Sequence, residues 1–241
     1  MTVFNKIIQK QFRNELKQIK KPYQSTLDFF QFVKRYNGFK PNTSVLDAGS
    51  GIGSNTFFFA NKEKSIKFIC GDSIKKNISL GKKIFKKIPN LSFEHFDILK
   101  ENKKLKNKFD GIISIHTMNC FKELENPIKN LCNLKPKWIC LKTLAYRGNM
   151  DVLIHIRDYD EKIKDDNLIG DFNIFSEIKI INIFKKHNYK TFIQEYFPKK
   201  KISKKNVKNR GSYTIKTEFN KNSTFSGPVY LPWKFIFAER K

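Results

Sequence analysis

The sequence predicts an α/β fold: a seven-stranded, mostly parallel sheet with helices on both faces and an antiparallel strand near its C-terminal end. Three observations predict it. From Thr43 onward, short β-rich runs alternate with helical stretches, the texture of a parallel sheet covered on both faces. Three of the first runs end at or beside an acid, and the first leads straight into a glycine triplet. The last two β-rich runs have no helix between them, so they return antiparallel.

The elements follow in order. Phe4, Ile7, Ile8, Phe12, Leu16 and Ile19 form one helical stripe, which Pro22 ends. A second helix is expected from Ser25, a candidate N-cap, through Leu27, Phe30 and Val33 to Gly38. Residues 1–40 therefore read as an N-terminal helical cap and 41–241 as the α/β domain. Strands are expected at 44–48, 66–71, 91–96, 111–115 and 138–141, with helices at 55–61, 75–87 and 122–134. Residues 174–187 read as a further helix, and 190–197, 212–219 and 229–238 as strands.

A chain of 241 residues with 39% hydrophobic residues and 24 Phe can bury a sizeable core, which excludes wholesale disorder. Its 48 basic against 22 acidic residues give a net charge of +26. That balance favours anionic partners. However, 42 of the 48 are lysine, and Lys, Asn, Ile and Phe make up roughly half the chain, as A/T-rich codon usage would produce. Arginine, the usual reader of nucleic-acid bases, is scarce. Cys70, Cys120, Cys132 and Cys140 lie in or beside apolar segments without metal-type spacing, so reduced thiols are expected. No apolar run reaches the ~20 residues of a membrane span, and no signal-peptide core opens the chain. A cytoplasmic setting is the expectation.

The most specific segment is Val45-Leu46-Asp47-Ala48-Gly49-Ser50-Gly51-Ile52-Gly53. Glycines between a strand and a helix let backbone approach a ligand closely. The dinucleotide spacing G-x-G-x-x-G is absent; here it is G-x-G-x-G, with Asp47 just ahead. An acid there repels a pyrophosphate and suits a ligand with a cationic amino group. With the alternation around it, the segment resembles the class I S-adenosylmethionine-dependent methyltransferases, which implies a Rossmann-like domain from about Thr43 to the C-terminus. The resemblance implies that Asp47, Gly49, Gly51 and Gly53 line the methionine part of S-adenosylmethionine. Asp72 ends the second strand, 25 residues after Asp47, where the family holds the ribose; an acid at that place accepts both hydroxyls. Asp97 follows the third strand and resembles the acceptor for the adenine amino group, with Ile98 flanking the ring. Read singly, Asp97 also suits a turn or an N-cap.

The fourth strand ends in Ser114-Ile115-His116-Thr117, not the Asn/Asp-Pro-Pro-aromatic run of enzymes that methylate base amines. Cys120 follows Asn119, not the proline of cytosine-C5 enzymes. A catechol-type metal site would want an Asp-Asn pair where Leu141-Lys142-Thr143 stands. These departures leave metal-independent O- or N-methylation. A hydroxyl acceptor needs a base, and histidine suits that role near neutral pH. His116, at the sheet edge, is the first candidate and His155 the second, each equally compatible with a structural role. Tyr213, Tyr230 and Trp233 could stack on a sugar ring or simply pack the closing strands. The tail is loosely similar to small bacterial surface-polysaccharide and sugar-modifying methyltransferases. The basic stretch 198–210, with seven positive charges and no acid, suits either a phosphate-bearing acceptor or a solvated loop. The expected partner is thus a small-molecule or saccharide-like acceptor. Two rivals stand behind it: an RNA methyltransferase and a non-catalytic cofactor-binding protein.

Overall fold

In the computed structural model, residues 15–157, 168–203, 212–217 and 221–241 are described. The strands, in chain order, begin with β1 (Ser44–Ala48), β2 (Lys67–Asp72), β3 (Leu91–His95), β4 (Gly111–Ile115) and β5 (Trp138–Tyr146). They continue with β6 (His155–Arg157), β7 (Leu168–Asp171), β8 (Phe175–Ser176) and β9 (Tyr189–Glu195). Last come β10 (Ser212–Lys216), β11 (Asn222–Ser226), β12 (Val229–Tyr230) and β13 (Trp233–Arg240). The central sheet runs β3–β2–β1–β4–β5–β13–β9. β1 to β5 pair in parallel, and β13 lies antiparallel between β5 and β9. The expected sheet and its antiparallel closing strand are therefore present. The order reverses direction at β1, the place where open α/β sheets leave a crevice at their carboxyl ends.

Helices α1 (Gln24–Arg35), α2 (Ser54–Lys62) and α3 (Lys75–Ile84) cover one face; α4 (Glu125–Asn133) and α5 (Glu177–Lys186) cover the other. Period-two alternation divides each strand between two cores. Val45 joins the phenylalanine-rich core and Leu46 the aliphatic one; along β13, Phe235 and Phe237 face the first, Ile236 and Ala238 the second. Phe29 of α1 meets Phe235 edge-on at 5.5 Å, and Phe30 stacks on Phe59 of α2 at 5.8 Å. Rings at these spacings add about 0.5–1.5 kcal/mol per pair to the burial of their area. The abundant phenylalanine thus seats α1 and α2 over the sheet.

Several elements depart from the sequence expectation. Pro232 can neither donate to a ladder nor sit mid-sheet, so the run expected at 229–238 is split. Val229–Tyr230 joins β10 and β11 in a separate three-stranded sheet, and the central strand starts at Trp233. Residues 212–216 belong to that small sheet, turned by Gly227 at φ +56°. Ser176, not Ile174, begins α5: its Oγ accepts the Lys179 amide at 3.3 Å. Tyr23 rather than Ser25 occupies the N-cap position of α1. Cys70, Cys132 and Cys140 are buried, whereas Cys120 is exposed. Of the first expected helix, residues 15–20 are helical and the earlier ones lie outside the described residues, as do 204–210 of the basic stretch.

Candidate active site

β1, β2 and β4 deliver their carboxyl ends to one cleft of about 510 Å³, bounded by the glycine loop, Asp72, Asp97, Ile98 and His116. Gly49, Gly51 and Gly53 all take positive φ (82°, 59° and 89°). At Gly53 the requirement is also spatial: a Cβ would lie 2.8 Å from Cys70 Sγ and 2.9 Å from the Phe93 ring. A larger groove of about 710 Å³ between α5 and residues 149–151 carries none of these groups.

The acids are arranged individually. Asp47 is 2% exposed; its Oδ2 accepts the Thr56 hydroxyl, while its Oδ1 has no partner. Burial pushes its carboxyl up to about 7, opposed by Thr56 and reinforced by Asp72 and Glu15. Asp72 reaches across to the loop: Oδ2 accepts the Gly51 amide at 2.9 Å, and Oδ1 accepts Ile74 N at 2.9 Å and Asn77 Nδ2 at 3.2 Å. Asp97 Oδ1 accepts the Leu99 amide at 3.0 Å, the turn-forming geometry open to it from sequence. Ile98 is buried beside it.

His116 sits just past β4 at φ 61°, a conformation uncommon outside glycine and asparagine. Its amide donates to the Lys142 carbonyl at 2.9 Å, and its ring lies 4.5 Å from that of Trp233. Solvent reaches part of the residue, yet the protein packed around the ring, together with Lys142, holds its pKa well below the usual imidazole value. Gly49, Gly51, Asp72, Asp97, Ile98 and His116 thus line one cleft, whereas Gly53 and the buried Asp47 stand behind its loop and are not part of the lining. His155 lies instead on the β6–β7 ribbon and does not line the cleft. Of the three expected ring-stacking aromatics, Trp233 joins His116, while Tyr213 and Tyr230 pack on Phe225 of the small sheet.

Two residues of the site were not legible in the sequence. Lys142, 2% exposed in β5, lies over the rings of Tyr196 (5.2 Å) and Trp233 (5.1 Å). Burial lowers its pKa to about 7, against a smaller opposing effect of Asp28. Glu15 reaches from helical residues 15–20 to accept the Ile52 amide at 2.9 Å. Desolvation and Asp72 raise its carboxyl to about 7, although the Ile52 bond opposes.

A family described as a methyltransferase domain matches residues 39–209, most of the chain and all of the cleft's strands. The chain belongs to that family. It is a class I S-adenosylmethionine-dependent methyltransferase. A curated relative, the release factor glutamine methyltransferase of Buchnera aphidicola subsp. Baizongia pistaciae (strain Bp), is 32% identical over 123 residues, 50% of this chain and 42% of the relative. Less than half of that relative is thus matched, and the methyltransferase shares chemistry with it, not a demonstrated acceptor. Among solved structures, the magnesium protoporphyrin IX methyltransferase of Synechocystis PCC 6803 with bound SAM has a TM-score of 0.55 at 14% identity, covering 97% of this chain and 84% of that one. The N-terminal domain of EvdMO1 with SAH bound gives 0.57 at 11%, over 90% and 82%. The methyltransferase domain of bacterial CtHen1 gives 0.56 at 14%, over 90% and 97%. At these identities the likeness is one of fold.

Proposed function

We propose that this methyltransferase moves the methyl of S-adenosylmethionine, without a metal ion, to an oxygen or nitrogen of a small-molecule or saccharide-like acceptor. The observation that carries the reading is the position of His116, lining the cleft at the end of β4 beside the glycine loop, with its pKa pushed below the usual imidazole value. Asp47 and the three glycines would hold the methionine end, Asp72 the ribose hydroxyls, Asp97 the adenine amino group and Ile98 the ring face. The residues fit such a ligand. Asp47 Oδ1 is buried without a partner, and Asp72 Oδ2 keeps a lone pair beyond its bond to the Gly51 amide, while Oδ1 already accepts from Ile74 and Asn77.

Bound there, the donor supplies an electrophilic methyl on a sulfonium. The chain's part is to align the acceptor and to take its proton. His116 accepts that proton, and the nearby Lys142 charge favours its release afterwards. Lys142 lies within β5, not after it, and its ammonium form repels a divalent cation. His155 is the second candidate base, on the neighbouring ribbon.

Calorimetry with S-adenosylmethionine and S-adenosylhomocysteine, followed by labelled-methyl transfer to fractionated metabolite and saccharide extracts, tests the reading. Donor binding together with transfer that falls at least a hundredfold in His116→Ala and little in His155→Ala is expected. A folded protein that binds neither ligand would sink it, and undiminished transfer by His116→Ala would remove His116 as the base.

A further inference from the structure

The glycine loop has no amide left to offer an anion. Gly49 N and Ser50 N donate to the Gly71 carbonyl (2.8 and 3.0 Å), and Gly53 N to the Ser50 carbonyl (3.0 Å). Gly51 N goes to Asp72 and Ile52 N to Glu15, each at 2.9 Å. Two of these loop amides, just ahead of the start of α2, are already occupied by carboxylates of the chain itself. Below them, Asp47 Oδ1 is buried and unpaired. What this end of the cleft presents to a ligand is therefore negative charge and hydrogen-bond acceptors, which suit a cation.

Glu15 lies outside the residues, 39–209, that match the family. Its carboxylate comes from outside the sheet, from helical residues 15–20, and folds over the loop so closely that a Cβ on Gly51 would lie 2.8 Å from its Oε1. It lines the same cleft as Asp72 and His116. The donor and its product differ by one methyl and one positive charge: the donor is a sulfonium, the product a neutral thioether. Both carry the same amino and carboxylate groups. A carboxylate at the methionine end therefore acts on the difference between them.

Resting on the assignment of this cleft to S-adenosylmethionine, we propose that Glu15 is its charge selector, favouring the cationic donor over the neutral product and so promoting product exchange. Opposite unit charges several ångströms apart at a partly buried site attract by an amount equivalent to about fivefold or more in affinity. The elevated pKa of Glu15 comes first from burial and then from the neighbouring Asp72 carboxylate, and among the described residues no cation is paired with it. A bound cation stabilises the ionised form, so donor binding releases a proton. The groups facing Glu15 are Asp72 and Asp47 at the strand ends and Ser54 at the start of α2; Asp97 and His116 line the cleft further along. Asp47 titrates in the same range, so the assignment to Glu15 comes from comparison with a variant.

The test is calorimetric titration of S-adenosylmethionine and S-adenosylhomocysteine into wild type, Glu15→Gln and Glu15→Lys at pH 6, 7 and 8. The donor-to-product affinity ratio should fall about fivefold in Glu15→Gln and further in Glu15→Lys. Wild-type donor affinity should rise with pH across this range, with a smaller rise in Glu15→Gln. Thermal melts of the ligand-free variants report whether each is folded. Equal weakening of donor and product in both variants, or no change in either, overturns the selector. Failure of wild type to bind either ligand overturns the cofactor assignment beneath it, a separate outcome.

Discussion

The backbone amide of His116 donates to the Lys142 carbonyl, a 2.9 Å bond that ties the end of β4 to β5 at a point where the imidazole and the ammonium both approach the Trp233 ring. The pair is electrostatically unfavourable when both are charged. Burial has already depressed both pKa values, and Lys142 adds to the depression at His116.

Replacing Lys142 with Met should therefore raise the His116 pKa towards its ordinary value, read from imidazole resonances assigned with His116→Gln. A histidine whose folded pKa lies below its unfolded value contributes stability that is present above the unfolded pKa and lost as pH falls through it. Acid destabilisation below about pH 6.5 should accordingly be milder in Lys142→Met than in wild type. An unmoved His116 titration would mean that burial alone sets its pKa.

Asp47 has the opposite sign. Its folded pKa, about 7, lies above the unfolded 3.8, so its contribution is greatest in acid and is lost as pH rises through 7. Ligand-free wild type should lose more melting temperature between pH 5 and 7.5 than Asp47→Asn does, by about 3 °C or more. Saturating S-adenosylmethionine should shrink that difference.

Gly53→Ala should cost about 2–3 kcal/mol in denaturant unfolding, through left-handed backbone strain and crowding against Cys70 and Phe93. Gly227→Ala shares the positive φ, but no atom lies within 4 Å of its would-be Cβ, so it should cost clearly less.

Lys234 is buried between Glu177 at 2.9 Å and Glu195 at 2.7 Å. Lys234→Met should destabilise by about 3–5 kcal/mol, because Glu177 is left buried without its counter-charge. The double variant Lys234→Met/Glu177→Gln should recover part of that loss in the same unfolding measurement.

The sheet and the acid-and-glycine end of the cleft were legible in the sequence because each rests on a short local pattern. Asp47 and the glycines are contiguous, and Asp72 and Asp97 mark strand ends by their position after apolar runs. Lys142 and Glu15 carry no such mark. In a chain with 42 lysines, one more lysine after a strand of ordinary length looks like a surface residue. What buries it is tertiary: Trp233 arrives from β13 and Tyr196 from just past β9. Glu15 reads as the polar face of an amphipathic helix until the helix is laid against the loop. The placement of His155 was hidden for the complementary reason, since its neighbourhood in sequence gave no sign that it would fall on a ribbon outside the cleft lining.

The placement of β13 has a consequence for biosynthesis. The strand that separates β5 from β9 is translated after both, so a growing chain must hold a gap in its sheet until that strand leaves the ribosome. The glycine loop, Asp72 and His116 are encoded well before it, whereas Trp233, which packs over Lys142, enters with it. A nascent chain would thus complete the glycine-loop end of the cleft first and the cover over Lys142 last, with the edge of β5 exposed to capture by chaperones or like strands in the interval.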